Sequence, residues 1–375
     1  MEFIDLKYQQ SLIRENIQKA IDQIFDHGQY IMGPEVTELE AQLALFTNSN
    51  YCVSCSSGTD ALYMALMAYD IGPGDLVYTS PFTFIATAEV ISLTGATPVF
   101  VDVNSFTFNI DPEKLEQAIS SDGIKGEPRA ILGVDIFGLP ADYEQIETIG
   151  TKHDLIIIED AAQSFGAEYR GRKAGSFGHL RATSFFPAKP LGCYGDGGAI
   201  FTDDEGIKDK LLSIRVHGQG KDKYENTRLG LNGRLDTLQA GILLEKLKIF
   251  SNEFNQRQKI ARLYNQYLEN CVTPQLIPDG YLSAWAQYSV LAENSIVRTE
   301  IQKALQLKNV PTAVYYKTPL HLQEAFAYLG YKQGDFPVSE DISTRILSLP
   351  MHPYLTEQEI ITVCSAVQES ILSVV

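Results

Sequence analysis

Short apolar runs alternate with helical patterns from about residue 51 to residue 202. Such alternation predicts an α/β domain with a mainly parallel sheet, and a sheet of this kind binds ligands beyond the carboxyl ends of its strands. The predicted strands are Tyr51–Val53, Leu76–Thr79, Thr97–Val101, Ala130–Val134, Leu155–Ile158, Ala182–Phe185 and Ala199–Phe201. The predicted helices between them are Thr59–Tyr69, Thr83–Thr94, Pro112–Ile119 and Asp142–His153.

Helical patterns flank this region on both sides. An amphipathic segment contains Leu12 and Ile24, and Pro34 opens a second helix. A long helical pattern runs from Leu238 to Tyr264, and mixed elements follow it. We therefore predict a large α/β domain over residues 1–248, which includes the N-terminal helix and loop, and a smaller α+β domain over residues 249–375.

Charge and composition exclude several classes of protein. The formal net charge is −17, whereas nucleic-acid binding needs clustered Lys and Arg, so we expect no nucleic-acid partner. The first residues lack the features of a signal peptide, and no stretch approaches the roughly 18 apolar residues of a membrane span. We expect a soluble, cytoplasmic protein with no membrane partner.

Five scattered cysteines favour a reducing compartment. Cys52 and Cys55 form a CxxC, which could have a redox or zinc role. No second CxxC or paired histidine accompanies it, so we favour buried thiols in the core and predict no metal site.

One lysine, Lys189, lies between Pro187 and Pro190 and is followed by four glycines up to residue 198. The prolines prevent a regular helix, and the glycines allow the backbone to approach a flat ligand. A lysine held near an apolar surface can lose its proton and attack a carbonyl, as the lysine of pyridoxal phosphate (PLP) enzymes does. The alternative is a solvated loop lysine.

Two further segments supply groups that PLP needs. Gly58 and Thr59 follow a predicted strand and open a helix, whose N-terminus can bind a phosphate, although a plain capped turn explains the same residues. Four apolar residues and two acids end in Asp160, which can pair with a pyridine nitrogen, while Gln163 can reach the phenolic oxygen. A helix N-cap is the alternative for Asp160.

Less specific candidates lie elsewhere. Phe82 follows another predicted strand, where it can stack on a ring or belong to the core. Arg234 suits a carboxylate or phosphate because its guanidinium pairs with two oxygens. Asn232 and Asp236 can bind a ligand or cap the long helix.

In combination, these segments resemble the DegT/StrS group of PLP-dependent sugar aminotransferases. The resemblance covers nearly the whole chain and rests on the motifs SGTDAL, EDAAQSFGA, SFFPAKPLGCYGDGGAI, GLNGRLDTLQA and LPMHPYL. It implies the aspartate aminotransferase fold (PLP fold type I), a homodimer with shared active sites, and glutamate as amino donor.

The resemblance also implies roles for individual residues. Lys189 matches the Schiff-base lysine. The positions matching cofactor contacts are Gly58, Thr59, Phe82, Asp160, Gln163, Ser184 and, from the other subunit, Asn232. The positions matching nucleotide-sugar contacts are Gly28, Tyr30, Ala188, Arg234, Tyr315 and Tyr316.

The motif versions are nearest to those of members that aminate UDP-2-acetamido-2-deoxy-3-oxo-glucuronate in O-antigen synthesis. One position departs from them, because Tyr315 stands where a histidine is expected, and tyrosine is neutral at pH 7. The alternatives are another UDP- or dTDP-keto sugar as substrate, a dehydratase of the same family, or a non-catalytic regulator. Lys189 argues against the dehydratase, which the resemblance implies would carry histidine there.

Overall fold

The computed structural model describes residues 1–121, 123–222 and 224–372. Its helices are α1 Leu6–His27, α2 Pro34–Thr47, α3 Gly58–Ala68, α4 Ala86–Leu93, α5 Pro112–Ile119, α6 Tyr143–His153, α7 Glu205–Ile214, α8 Thr237–Tyr267, α9 Ser295–Leu307, α10 Pro337–Arg345 and α11 Glu357–Leu372. Its strands are β1 Tyr51–Cys55, β2 Asp75–Thr79, β3 Thr97–Phe100, β4 Glu127–Val134, β5 Ile156–Asp160, β6 Glu168–Tyr169, β7 Arg172–Lys173, β8 Leu180–Ser184, β9 Gly198–Thr202, β10 Thr273–Pro274, β11 Tyr281–Leu282, β12 Tyr288–Leu291 and β13 Ile346–Leu349. Each predicted strand is present, with shifted ends.

Seven strands form the central sheet in the order β1-β9-β8-β5-β4-β2-β3. β3, β2, β4, β5 and β8 are parallel neighbours, whereas β9 pairs antiparallel with both β1 and β8. Only β9 therefore runs against the rest, which gives a mainly parallel mixed sheet. The carboxyl ends of the parallel strands and the start of β9 lie at one edge of this sheet.

Local sequence signals explain where several helices begin. Ser57 caps α3 by accepting a hydrogen bond from the Asp60 N–H at 3.0 Å. Pro34 and Pro112 occupy the first turns of α2 and α5, where a missing N–H costs nothing. The predicted helix over Thr83–Thr94 starts later, at Ala86, because the Phe82 N–H donates to Ser80 Oγ at 2.9 Å and turns the chain first.

The apolar core is divided between the sheet and the C-terminal part of the chain. One face of the sheet packs Val53, Leu62 and Ile158, and the opposite face packs Ile131 and Ile157 with neighbouring helices. A separate cluster begins at Ile260 and joins the end of α8 to β12, β13, α9 and α11.

The predicted boundary between residues 248 and 249 falls inside α8, which is continuous from Thr237 to Tyr267. The division into domains at that point therefore stays a prediction. Among the described residues, no helix combines the length and apolar character needed to cross a membrane.

Candidate active site

The loops at the carboxyl edge of the sheet bring most of the predicted site residues together. β1 leads into α3 at Gly58, β2 leads into the loop that holds Phe82, β5 ends at Asp160, and β8 ends at Ser184. These strands are parallel in space although they are distant in the chain. The predicted site residues from these four separate motifs therefore lie near one another at this edge of the sheet.

Lys189 lies in the connection between β8 and β9, and both ends of this connection are fixed. The Phe185 N–H donates to the Gly197 oxygen at 2.8 Å, and the Cys193 N–H donates to the Phe185 oxygen at 2.7 Å. The Lys189 N–H closes a turn on the Phe186 oxygen at 2.8 Å. A tight turn, rather than a mobile loop, therefore carries the lysine.

The environment of Lys189 favours its neutral form. The residue is partly accessible, yet its amine is surrounded by protein, and this burial lowers the pKa of Lys189. The negative charge of Asp160 acts in the opposite direction. The two groups are therefore close enough for each to influence the ionisation of the other.

Asp160 is 6% exposed and has two hydrogen-bond donors. Thr87 Oγ1 donates to Oδ2 at 2.9 Å, and the Ala162 N–H donates to Oδ1 at 3.2 Å. Burial raises the pKa of Asp160, while these two bonds and the charge of Lys189 lower it. A turn over residues 162–166 follows, so the helix N-cap interpretation of Asp160 is wrong.

The Gln163 side chain is oriented by the backbone. Its Oε1 accepts from the Phe137 N–H at 2.7 Å, so its Nε2 is left to donate, and it does so to the Tyr316 hydroxyl at 3.2 Å. Phe82 is 1% exposed and packs edge-on against both Phe137 and Tyr316. Gln163, Phe82 and Tyr316 thus form one contact cluster beside Asp160.

A cradle of backbone N–H groups lies between α3 and the Ser184 end of β8. The Asp60 and Ala61 N–H groups bond to Ser57, while those of Gly58 and Thr59 have no partner among the described residues. A Cβ on Gly58 would lie 2.6 Å from the Ser184 Cβ, so a larger residue would displace the strand. The free N–H groups point out of the positive end of a helix, which suits a phosphate.

These groups fit PLP. An anionic partner for a pyridine nitrogen, an amide donor, a buried aromatic ring, a phosphate cradle and a lysine with lowered pKa lie at the same sheet edge. Ala188, which the resemblance implies as a substrate contact, is half-buried beside Lys189.

Three predicted substrate residues and the predicted cofactor residue Asn232 lie apart from this cluster. Gly28, Tyr30 and Asn232 are exposed, and Arg234 is half-buried with its Nε lacking a hydrogen-bond partner among the described residues. No hydrogen bond, ion pair or ring contact in the described chain joins these residues to the cluster around Asp160. By contrast, Tyr315 contacts Tyr316, with ring centroids 5.9 Å apart.

Comparison with known proteins places this site in a family. The model of the DegT/DnrJ/EryC1/StrS aminotransferase family matches residues 11–368. The chain belongs to this family. It is a PLP-dependent sugar aminotransferase, and its sheet has the predicted aspartate aminotransferase fold (PLP fold type I).

Individual relatives support this assignment. The aminotransferase is 46% identical over 367 residues to the UDP-2-acetamido-2-deoxy-3-oxo-D-glucuronate aminotransferase of Pseudomonas aeruginosa, covering 98% of this chain and 99% of that protein. A crystal structure of a DegT DnrJ EryC1 StrS aminotransferase from Brucella abortus is 47% identical, with a TM-score of 0.95 and coverage of 98% and 99%. Bacillus subtilis NtdA with bound cofactor PMP is 28% identical, with a TM-score of 0.87 and coverage of 96% and 82%.

Sequence reasoning missed two residues that shape the aminotransferase site. Thr87 donates to Asp160, and the backbone of Phe137 orients Gln163. The sequence signal for the contact between Thr87 and Asp160 is the pair Thr83 and Thr87, which stand four residues apart after a strand. Their hydroxyls lie 3.1 Å apart.

Asp236 precedes the long helix α8, but its side chain makes no capping hydrogen bond, so capping does not account for that carboxylate.

The two cysteines of the CxxC motif lie on opposite faces of β1. Cys55 packs in the core cluster that contains Val53 and Leu62, whereas Cys52 packs in a cluster with Phe185 and Phe201. Both thiols are free and buried, and burial raises the pKa of each. Their side chains therefore act as core groups rather than as a reactive pair.

Proposed function

We propose that this aminotransferase moves the amino group of L-glutamate to the ketone of a nucleotide-linked 3-keto sugar. The favoured substrate is UDP-2-acetamido-2-deoxy-3-oxo-D-glucuronate, because the 46% identical relative from Pseudomonas aeruginosa is named as the aminotransferase of this sugar. The products are then 2-oxoglutarate and the 3-amino sugar. The position of the Lys189 amine within the electrostatic influence of the buried Asp160 carboxylate carries this proposal.

Seven positions are assigned to the cofactor. Asp160 holds the pyridine nitrogen. Its buried carboxylate accepts two hydrogen bonds and is further stabilised in its charged form when it faces a cation, here the protonated pyridine nitrogen. Gln163 presents an N–H to the phenolic oxygen because its Oε1 is already occupied by Phe137. Phe82 packs against the ring, and the phosphate is held by Gly58, Thr59, Ser184 and Asn232 of the other subunit.

When bound, PLP withdraws electrons from the carbon that bears the amino group and so acidifies its C–H bond. The Lys189 Nζ takes up that proton and returns it one position away. Burial lowers the pKa of this amine, which increases the fraction of neutral base at neutral pH. The tight turn on Phe186 keeps Nζ in place between the two transfers.

A homodimer with shared sites completes the proposal. Asn232 is exposed on its own chain, which fits a residue that serves the neighbouring subunit. Gly28, Tyr30, Ala188, Arg234, Tyr315 and Tyr316 are assigned to the nucleotide sugar. Tyr315 offers a neutral hydroxyl where a histidine could offer a cation, so the sugar carboxylate meets Arg234 instead.

We place the reaction in the cytoplasm and in the synthesis of O-antigen or another surface polysaccharide. The five free thiols fit a reducing compartment. The same site geometry suits other UDP- or dTDP-keto sugars, and these are the second candidates. A purely regulatory role is disfavoured because each group of the constellation is present.

A two-stage experiment tests the proposal. The protein is first mixed with PLP and glutamate, and the absorbance of the bound cofactor and the release of 2-oxoglutarate are followed. Glutamate should convert the cofactor to its amine form, and Lys189→Ala should prevent this. An unchanged spectrum at saturating glutamate would contradict aminotransferase activity. A panel of UDP- and dTDP-keto sugars made in situ then identifies the acceptor.

A further inference from the structure

His27, the last residue of α1, contacts both ends of the loop that follows it. Its Nδ1 accepts a hydrogen bond from the Gln29 N–H at 3.0 Å, and its Nε2 lies 3.1 Å from Glu35 Oε1 in the first turn of α2. Since Nδ1 accepts, the ring proton of the neutral imidazole lies on Nε2 and is donated to Glu35. The imidazole therefore closes the loop over residues 28–34.

The loop that His27 closes has a constrained backbone. Gly28 has φ +69° and Met32 has φ +55°, so a left-handed residue stands near each end. A non-glycine residue such as Met32 keeps this conformation only where its surroundings fix it. A Cβ on Gly33 would lie 2.5 Å from the Gln29 oxygen, so the two arms of the loop touch.

The same loop is fastened to the segment before α8. The Thr237 N–H donates to the Tyr30 oxygen at 3.0 Å, and the Gly33 N–H donates to Thr237 Oγ1 at 3.0 Å. Ile31 also forms an antiparallel bridge with Asp236. Residues 28–33 and 232–237, here called the recognition unit, are thus held together by backbone contacts.

The side chains of the recognition unit remain accessible although its backbone is fixed. Tyr30 is 49% exposed and Ile31 is 50% exposed, and Tyr30 packs edge-on against Phe25 with ring centroids 6.3 Å apart. A fixed backbone that presents exposed side chains loses little entropy when a ligand binds. This arrangement suits recognition rather than structural support.

We propose that His27 is a positioning residue for the nucleotide sugar. Its two hydrogen bonds set Gly28 and Tyr30, and through Thr237 they set these residues relative to Arg234. His27 itself does not touch the substrate. This inference rests on the proposed function, because that proposal assigns Gly28, Tyr30 and Arg234 to the nucleotide sugar.

Three substitutions of His27 separate its two bonds. His27→Phe keeps a ring and loses both bonds, His27→Asn keeps an acceptor for the Gln29 N–H, and His27→Gln keeps a donor for Glu35. The matched control is His153→Phe, which removes another histidine–carboxylate pair, at 2.9 Å from Glu116, between α6 and α5. The two histidine side chains are similarly accessible, at 26% for His27 and 23% for His153.

Each variant is measured as holoenzyme in three ways: dissociation constants for UDP and dTDP by calorimetry, KM for the keto sugar, and the rate of the glutamate half-reaction. His27→Phe should raise the nucleotide dissociation constant and the sugar KM by about tenfold, the equivalent of one to two net hydrogen bonds. The glutamate half-reaction should stay unchanged. His27→Asn and His27→Gln should each recover part of the loss, and His153→Phe should show none.

Two outcomes would overturn the inference. In the first, folded His27→Phe binds nucleotide and sugar as the unsubstituted protein does. In the second, both half-reactions fall together, which indicates a general structural role. Failure of the proposed function is seen separately, in the unsubstituted protein, as a missing glutamate half-reaction or as no binding of nucleotide and no turnover of any keto sugar.

Discussion

The hydrogen bond from Thr87 to Asp160 gives the sharpest test of how this site works. Replacing Thr87 by valine removes the donor at 2.9 Å and keeps the shape of the side chain. Asp160 Oδ2 then loses its hydroxyl donor in a buried place, while Oδ1 keeps the Ala162 N–H. The substitution therefore changes the charge balance of Asp160 with little change in packing.

The magnitude follows from the charge on the acceptor. A hydrogen bond to a charged group contributes about 1.5–3 kcal/mol net, which corresponds to about 10- to 150-fold in an equilibrium or rate. Burial already raises the pKa of Asp160 and the Thr87 bond opposes that rise, so its loss raises the pKa further. The ionised carboxylate then persists only at higher pH, and the acidic limb of the pH–rate profile should move to higher pH.

The assay is the glutamate half-reaction, followed by stopped-flow absorbance of the bound cofactor from pH 5 to pH 9. The matched control is Thr79→Val, which removes a buried hydrogen bond of 2.9 Å to the Leu132 oxygen and leaves Asp160 untouched. Thr87→Val should be at least about tenfold slower than this control at neutral pH. Equal rates within about twofold, with superimposable pH profiles, would refute the electrostatic role assigned to Thr87.

Three further predictions concern the rest of the aminotransferase. Lys189→Ala should slow both half-reactions by more than about a thousandfold while cofactor still binds, and retained turnover would assign the proton transfers elsewhere. Gly58→Ala should weaken PLP binding about tenfold in titrations of the apoenzyme, because its Cβ would meet Ser184 at 2.6 Å. Gly72→Ala, whose Cβ would meet its nearest atom at 3.6 Å, is the control, and equal affinities would contradict the cradle. Burial lowers the pKa of Lys246 to about 8. Below pH 8 the buried lysine is protonated, which lowers the free energy of unfolding by its full amount. This cost becomes smaller as the pH rises from 8 towards about 10.4, the pKa of a lysine in the unfolded chain. In denaturant unfolding, Lys246→Met should therefore raise the free energy of unfolding by about 1–3 kcal/mol at pH 7 and by little at pH 10. An increase that does not depend on pH would contradict this prediction.

Local patterns predicted the main elements of the fold because hydrophobic periodicity and capping residues act over a few positions. The boundaries were less certain, since they depend on specific hydrogen bonds. Among the mixed elements predicted after the long helix, the apolar pattern over Ile301–Leu307 indicates a helix. The structure begins that helix, α9, earlier, at Ser295, because Asn294 caps the N–H groups of Ile296 and Val297. The sequence around α7 held a comparable signal that we did not use, since Asp204 caps the Ile207 N–H.

The direction of β9 could not be predicted from the sequence, because it depends on pairing between distant segments. Cys55 and Gly198 are partners in the ladder, yet 143 residues separate them. The same holds for the site. The motifs indicated Asp160 and Gln163, whereas the groups that tune them, Thr87 and the Phe137 N–H, come from other loops and carry no motif of their own.

Because β1 pairs with β9, which is synthesised much later, β1 remains unpaired during much of translation. β1 can pair only after Gly198–Thr202 has left the ribosome, which at about 5–20 residues per second means a delay of roughly 7–30 s. α1 waits longer, because Ile13 and Ile17 are covered by Ile242 of α8. During synthesis the first 55 residues therefore expose apolar side chains and an unpaired strand edge, which makes this segment the natural target for chaperones.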